Sequence, residues 1–190
     1  MRCTVGVLAL QGDFARHEAA LQHYGLTTRP VRRPEHLRGL SGLVLPGGES
    51  TTMLRLLGVQ GLEAPLVDLL RGGRVPVLAT CAGLILLARE VRDPAQRSFG
   101  VLDIVVARNG YGRQIASGTI SLAGDWLPAG TTGIFIRAPR ILAVGPAVEV
   151  LARRDGDPVL VRQGRVLGAC FHPELEPEHP LLRAFVADLA

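Results

Sequence analysis

Residues 75–90 have the sequence Val-Pro-Val-Leu-Ala-Thr-Cys-Ala-Gly-Leu-Ile-Leu-Leu-Ala-Arg-Glu, an apolar run of strand length followed by a longer apolar run. Small residues flank Cys81 at the junction, as a sharp turn from a strand into a helix requires. The pattern predicts a strand over 75–80, an elbow at Cys81 and a buried helix over 82–90. Alternation of strand and helix is typical of a parallel α/β sheet.

The same alternation extends to both sides of this stretch. Strands are predicted over 4–10, 26–31 and 42–45, and helices over 14–24, after residue 50 and over 62–70. We expect Asp13 to cap the first helix and Ser50 or Thr51 to cap the second. A last helix is predicted over 181–189. Short runs separated by turns predict antiparallel strands, added to the parallel sheet, at 100–107, 132–136, 148–153, 158–163 and 165–171.

Length and composition limit the classes of protein that fit. The 190 residues match one domain, 1–190, and 47% of them are hydrophobic. No apolar run approaches the roughly 18–20 residues of a membrane-spanning helix, so the apolar excess indicates a buried parallel sheet. The apolar run near the N-terminus is too short for a signal peptide, and we expect a cytoplasmic protein.

The charged residues argue against two further classes of protein. All 21 basic residues are arginine, they are interleaved with acidic residues and form no long run, and only 4% of the chain is aromatic, a pattern unlike a nucleic-acid-binding surface. Because lysine is absent, neither a lysine Schiff base nor a P-loop lysine can belong to this chain. We therefore expect no nucleic-acid partner.

The three cysteines, Cys3, Cys81 and Cys170, have neither the number nor the spacing of a disulfide framework or a zinc site. No metal and no cofactor is predicted from them. Cys3 and Cys170 are most simply core residues within predicted strands. Cys81 differs because it lies at the predicted elbow.

An elbow would place the Cys81 sulfur at the start of a helix. There the helix dipole and the free N–H groups favour a thiolate, and the N–H of Ala82 can donate to an oxyanion. The alternative is that Cys81 is an ordinary small core residue, since free cysteine is among the most buried residue types.

A nucleophilic cysteine needs a base, and no histidine occurs between residues 82 and 171. His172 follows a predicted strand, so it belongs at the carboxyl edge of the sheet, and Glu174 could orient its imidazole. In the alternative, His172 and Glu174 belong to an ordinary surface loop. His179 lies among acidic residues that are typical of a solvent-facing loop.

A second strand end carries the sequence Leu45-Pro46-Gly47-Gly48-Glu49-Ser50. Consecutive glycines let backbone N–H groups approach a ligand or complete an oxyanion hole, although they also occur in simple turns. Arg108 and Arg137 could each hold a carboxylate by paired hydrogen bonds, or lie on the surface as most arginines do.

Six segments in this order resemble the triad (class I) glutamine amidotransferases, and among them the glutaminase subunits of pyridoxal 5'-phosphate synthase. They are Ala9-Leu10-Gln11-Gly12, Leu45 to Met53, Thr80-Cys81-Ala82-Gly83-Leu84, Arg108-Asn109 with Gly112-Arg113-Gln114, Phe135-Ile136-Arg137-Ala138-Pro139, and Phe171-His172-Pro173-Glu174-Leu175. The resemblance covers essentially the whole chain. It implies a flavodoxin-like, three-layer α/β/α sandwich with a mostly parallel central sheet and antiparallel additions.

The resemblance also implies an activity and a set of site residues. Cys81 would be the nucleophile, His172 the base and Glu174 its orienting acid in the hydrolysis of L-glutamine. Gly48 and Ala82 would form the oxyanion hole. The residues implied to line the glutamine site are Gly47, Gly48, Glu49, Arg108, Ile136 and Arg137. The expected partner is the synthase subunit, in a large hetero-oligomer, and glutaminase activity is expected to be weak until that subunit docks.

Two other functions remain open at this point. One is a different amidotransferase glutaminase, such as that of imidazole glycerol phosphate synthase, which would share the triad but not the partner. The Gly112-Arg113-Gln114 and Phe135 to Pro139 segments argue against it. The other is a cysteine-based sensor or chaperone of related fold, which would not need the His172-Pro173-Glu174 sequence.

Overall fold

Residues 3–111 and 117–189 are described by a computed structural model, which contains twelve strands and five α-helices in that part of the chain. The strands are β1 (Thr4–Leu8), β2 (Thr27–Val31), β3 (Gly42–Leu45), β4 (Val77–Thr80), β5 (Ala88–Arg92), β6 (Leu102–Ala107), β7 (Ser117–Ser121), β8 (Thr132–Ile136), β9 (Arg140–Val144), β10 (Glu149–Arg154), β11 (Asp157–Gln163) and β12 (Val166–Ala169). The helices are α1 (Phe14–His23), α2 (Ser50–Val59), α3 (Glu63–Gly72), α4 (Ala82–Leu87) and α5 (Pro180–Ala187). Short 3-10 helices occupy Pro34–Leu37 and Pro173–Leu175.

The main sheet has seven strands in the order β10-β11-β12-β4-β3-β1-β2. The five strands from β12 to β2 are parallel, and β11 and β10 extend the sheet antiparallel. The chain winds from β1 to β2 in one direction and from β3 to β4 in the other. Because such crossovers are right-handed, α1 covers one face of the sheet and α2 with α3 covers the other. This architecture confirms the expected three-layer α/β/α sandwich.

The central strands are buried along their whole length. Every residue of β3, β4 and β12 is buried, and these strands carry no alternation of polar and apolar side chains. Burial on both faces explains the continuous apolar runs in their sequences. The carboxyl ends of β1, β3, β4 and β12 therefore project their loops from a fixed frame. None of the described helices has the length and apolar character needed to cross a bilayer.

The helix predicted over 82–90 is wrong in its last three residues, because α4 ends at Leu87 and Ala88–Arg92 forms β5. The carbonyls of Leu86 and Leu87 accept hydrogen bonds from Phe99 and Val101 instead of continuing the helical pattern. β5 then pairs in parallel with β6. Pairing with a later segment of chain overrides the helix propensity of Ala88, Arg89 and Glu90.

The antiparallel additions are only partly as predicted. β10 and β11 do extend the main sheet. The strand predicted over 165–171 is antiparallel to β11 but parallel to β4, so β12 belongs to the parallel part of the sheet and that prediction is wrong. β5, β6 and β9 form a separate three-stranded sheet, and β7 pairs with β8 alone. The strands β7 and β9 were not predicted. β7 contains Gly118 and two serines, and β9 exposes most of its residues, so neither has the apolar alternation that marks a strand.

Candidate active site

The ends of four parallel strands meet at one cavity of about 410 Å³. The winding direction of the chain reverses between the neighbouring strands β1 and β3, and the cavity lies beside this point. Doubly wound sheets bind their ligands at such a point. Two residues of the implied triad, Cys81 and His172, line the cavity, as do all six of the implied glutamine-site residues. The lining residues are Gln11, Asp13, Gly47, Gly48, Glu49, Ser50, Cys81, Ile85, Arg108, Asn109, Ile136, Arg137, His172 and Leu175.

Cys81 occupies a sharp elbow between β4 and α4, as the sequence predicts. Its φ of 47° and ψ of −103° are unusual for a residue with a side chain, and its backbone N–H donates to Ala169 O at 2.9 Å. Gly83 N donates to Pro46 O at 3.1 Å, and a β-carbon on Gly83 would collide with Leu45 O. The elbow is thus held against the ends of β3 and β12.

The N–H of Ala82 is available to a ligand for a structural reason. Ala82 is the first residue of α4, and the N–H groups in the first turn of a helix have no intrahelical partner. Cys81 itself is buried, with 7% of its surface exposed, and its Sγ lies 4.0 Å from Ile136 O. The arrangement presents a sulfur and a backbone donor to the same cavity.

His172 and Glu174 form a buried pair on the loop that follows β12. His172 Nδ1 lies 2.7 Å from Glu174 Oε1, and both side chains are almost wholly buried. An ionised carboxylate only accepts hydrogen bonds, so His172 Nδ1 carries a proton. The other ring nitrogen, Nε2, is then available to exchange a proton with a nucleophile or a substrate. Nε2 is buried, forms no hydrogen bond of regular geometry to a described residue, and has the Cys81 thiol beside it.

Neighbouring groups shift the pKa values of His172 and Glu174 in opposite directions. Burial alone would lower the pKa of His172, but Cys81 and Glu174 beside the imidazole outweigh burial and raise that pKa well above its usual range. Burial would likewise raise the pKa of Glu174, but His17 and His172 lower it to about 2. The site therefore favours an imidazolium next to a carboxylate.

Glu49 has a structural role that the sequence interpretation missed. Its carboxylate caps α2 by accepting from Thr51 N at 3.2 Å and Thr52 N at 2.7 Å, so the predicted cap at Ser50 or Thr51 is wrong. A carboxylate at the start of a helix also gains from the helix dipole. Partial burial would raise the pKa of Glu49, but these hydrogen bonds outweigh burial and lower that pKa. Arg108 Nη2 donates to the same carboxylate at 2.7 Å.

Asp13 occupies the predicted cap position of α1 but makes no capping bond through its side chain. Its carboxylate instead lies 3.0 Å from Arg16 Nε, one turn further along the helix. Both groups are half-exposed, so this pair contributes little to stability.

The Gly47-Gly48 turn lies directly against the catalytic candidates. A β-carbon on Gly47 would lie 2.5 Å from His172 Cε1, and Gly48 has a φ of 147°, which favours glycine. Gln11 Oε1, at the end of β1, accepts from Glu49 N at 2.6 Å and fixes the turn from the other side. Gln11 was not among the predicted site residues, although its segment was matched.

Ile136 and Arg137 close the opposite wall of the cavity. Both are exposed, and Arg137 has a φ of 44°, a conformation that residues with side chains rarely adopt. Within the described ranges Arg137 takes part in no ion pair, in contrast to Arg108. The segment Gly112-Arg113-Gln114 of the sequence analysis lies outside the described residues.

His179 differs from its sequence-based interpretation, and His17 has a position that the sequence analysis did not address. His179 Nδ1 accepts from Leu181 N at 3.1 Å, and its Nε2 lies 2.9 Å from Thr132 O, so it caps α5 and is not solvent-facing. His17 is fully buried near Glu174. The spacing of His17 with Ala20 and Leu21 on one face of α1 could have indicated that burial.

No cluster of three or more His, Cys, Asp or Glu side chains in the described parts of the chain is placed to hold a metal ion. The polar groups that line the cavity are instead suited to an organic ligand with separate charged ends. Glu49 carries a negative charge there, and Arg108 and Arg137 carry positive charges.

Comparison with known proteins agrees with this geometry. The chain is 54% identical over 172 residues to "Pyridoxal 5'-phosphate synthase subunit PdxT" of Koribacter versatilis, covering 90% of this chain and 88% of that one. It is 47% identical over 191 residues to the protein of the same name from Thermus thermophilus, covering 100% and 99%. A solved structure described as "Crystal structure of glutamine amidotransferase" superposes with a TM-score of 0.90 at 46% identity, covering 97% of this chain and 98% of that one.

The family model for "SNO glutamine amidotransferase family" matches residues 7–190. That range includes the elbow at Cys81, the Gly47-Gly48 turn and the His172–Glu174 pair. The chain belongs to the SNO glutamine amidotransferase family.

Proposed function

We propose that this chain hydrolyses L-glutamine to L-glutamate and ammonia, and that the ammonia serves a partner that makes pyridoxal 5'-phosphate. The observation that carries the proposal is the shared cavity. Cys81 on its strained elbow and His172, held by Glu174 at 2.7 Å, open onto the same space of about 410 Å³. A nucleophile, a base and an orienting acid in this order form a catalytic triad.

The proposed reaction begins with the Cys81 thiolate and the His172 imidazolium. The sulfur attacks the side-chain amide carbon of glutamine, and the amide oxygen becomes an oxyanion. His172 Nε2 gives its proton to the amide nitrogen, the C–N bond breaks, and ammonia leaves. A γ-glutamyl thioester then joins the substrate to Cys81. A raised His172 pKa keeps the proton available for this transfer.

The second half of the reaction reverses the proton transfer. Neutral His172 takes a proton from water, the resulting hydroxide attacks the thioester, and the C–S bond breaks to release glutamate and the Cys81 thiolate. Glu174 supports the imidazolium each time it forms. The N–H groups of Ala82 and Gly48 are proposed to bind the oxyanion, and the loss of one such donor typically costs about 3–4 kcal/mol.

Recognition of glutamine is assigned to the charged rim of the cavity. Arg108 and Arg137 supply donors for the α-carboxylate, and Glu49 supplies an acceptor for the α-ammonium group. The backbone of Gly47, Gly48 and Ile136 completes the walls. This arrangement selects a substrate that carries both charges at one end and a neutral amide at the other.

The proposed partner is a separate pyridoxal 5'-phosphate synthase subunit in a large hetero-oligomer. The support is the shared name and high identity of the relatives, together with the absence of lysine from this sequence. Imine chemistry on a lysine must then take place on the partner. The proposal also includes one glutaminase domain over 1–190, no cofactor of its own, and a cytoplasmic location.

Glutamate release from L-glutamine tests the proposal, with the wild type, Cys81→Ala and His172→Asn each assayed with and without the synthase subunit. Release that needs Cys81 and His172, and that rises when the synthase subunit is added, supports it. Rapid release that the synthase subunit does not change would contradict the assigned partner. An absence of release in every condition would contradict the activity itself.

A further inference from the structure

His17 is a buried polar side chain that the triad does not include. It lies on α1 with no exposed surface, beneath the loop that carries His172 and Glu174. His17 Nε2 is 3.2 Å from Thr80 Oγ1 and 3.3 Å from Glu174 Oε2. One nitrogen thus touches the residue before the nucleophile and the acid of the triad.

The carboxylate of Glu174 needs a partner for each oxygen. Oε1 is held by His172, while Oε2 has no hydrogen bond of regular geometry within 3–111 and 117–189 and has His17 Nε2 as its polar contact. Glu174 is 3% exposed, so water does not replace that contact freely. A buried charge that loses a partner is strongly destabilised or changes its orientation.

The positions of the hydrogen atoms follow from this network. Ionised Glu174 only accepts hydrogen bonds, so the 3.3 Å contact of its Oε2 with His17 is favourable only when the imidazole carries a proton on Nε2. The same proton is within reach of Thr80 Oγ1, which is an acceptor or a donor as its hydroxyl turns. His17 Nδ1 has no partner among the described residues, so Nε2 is the functional end of this ring.

We propose that His17 is a positioning residue for the reaction, holding the Glu174 carboxylate so that its other oxygen fixes the His172 imidazole. The inference rests on the proposed glutaminase function. Through Thr80 the same contact joins the acid to the strand that carries Cys81. His17 neither touches substrate nor transfers a proton to it, so its loss should lower kcat while the KM for glutamine changes little.

The test compares His17→Leu, His17→Asn and His17→Gln in the complex with the synthase subunit, measuring glutamate release. Gln can place an amide N–H at a reach similar to Nε2, Asn is one bond shorter, and Leu has no donor. We expect kcat to fall roughly 10- to 100-fold in the Leu and Asn variants with KM within about twofold, and to recover most of its value in the Gln variant. His23→Leu, at the exposed end of the same helix, is the matched control and should keep wild-type kcat.

A second arm separates positioning from simple loss of packing. In a Glu174→Ala background His17→Leu should lower kcat by no further factor than about two, because the carboxylate that it orients is absent. A full additional loss in that background would overturn the proposal, as would wild-type kcat in His17→Leu. If His17→Leu does not fold, the comparison of kcat between His17→Asn and His17→Gln decides. Equal losses of kcat in these two variants would also overturn the proposal. Glutamate release by the wild type in the same assay tests the glutaminase function separately, because an inactive wild type would refute that function. An active wild type with unaffected His17 variants would refute only the role of His17.

Discussion

A β-carbon on Gly47 would lie 2.5 Å from His172 Cε1 and 3.3 Å from the Cys81 β-carbon. The first distance is shorter than real carbon contacts, so the turn after β3 and the imidazole can approach this closely only if residue 47 is glycine. The position of the base is therefore coupled to the backbone of the loop that is proposed to bind the oxyanion. Gln11 anchors this loop from the far side, through its hydrogen bond from Glu49 N.

Gly47→Ala should displace the His172 ring and lower kcat for glutamate release by about 100-fold or more, since misplacement by about 1 Å can cost this much. Gly58→Ala is the control, because a β-carbon there meets nothing within 4 Å and replaces a glycine inside α2. It should leave kcat unchanged. Equal kcat in Gly47→Ala and wild type would contradict the assignment of this turn.

Arg108→Ala should raise the KM for glutamine roughly 10- to 100-fold, because a charge-assisted hydrogen bond to a carboxylate contributes about 1.5–3 kcal/mol. Arg183→Ala removes another arginine that pairs with a glutamate, Glu178, at 2.6 Å, but on the exposed surface of α5. Steady-state kinetics of both variants provide the comparison. A rise in KM for Arg183→Ala equal to that for Arg108→Ala would show that the effect is not specific to the cavity.

Gly83→Ala should lower the free energy of unfolding by about 1–3 kcal/mol, because its β-carbon collides with the carbonyl of Leu45 and backbone cannot move aside cheaply. Gly72→Ala, in α3 with open space around it, should be neutral or stabilising. Urea denaturation of the two variants and the wild type measures the difference. Equal stability of all three would refute the close packing of α4 on β3.

The lowered pKa of Glu174 predicts a pH-dependent contribution to stability. The folded value of about 2 lies below the ordinary value of 4.5, so the stabilising contribution is complete above about pH 4.5 and is lost as the pH falls towards 2. Denaturation of wild type and Glu174→Gln between pH 2 and pH 7 measures this. The advantage of the wild type should shrink below pH 4.5, and a constant difference across the range would contradict the shift.

Much of the parallel core could be predicted from sequence because β1, β3 and β4 are buried and carry apolar runs. The strands outside that core could not. Ala88–Arg92 has helix-forming residues and becomes β5 only because β6 is available to pair with it. β9 has an exposed face with apolar residues such as Leu142, so its sequence carries no alternation to detect.

The site was predicted to different depths for different residues. The spacing of small residues around Cys81 and the order His172-Pro173-Glu174 pointed to the elbow and the pair that the structure describes. The roles of Gln11 and His17 could not be predicted from the residues alone, because each contacts a segment more than 35 positions away. Such contacts are set by the order of strands in the sheet.

The most direct test of the central claim is to look for the thioester on Cys81. Wild-type protein with its synthase subunit is mixed with L-glutamine and quenched in acid within one turnover. The protein is then digested, and the masses of its peptides are measured by mass spectrometry. We predict one glutamyl group on the peptide that contains Cys81, and none on the same peptide of Cys81→Ala. Glutamate release by Cys81→Ala at the wild-type rate, with no adduct at position 81 in either protein, would contradict the account.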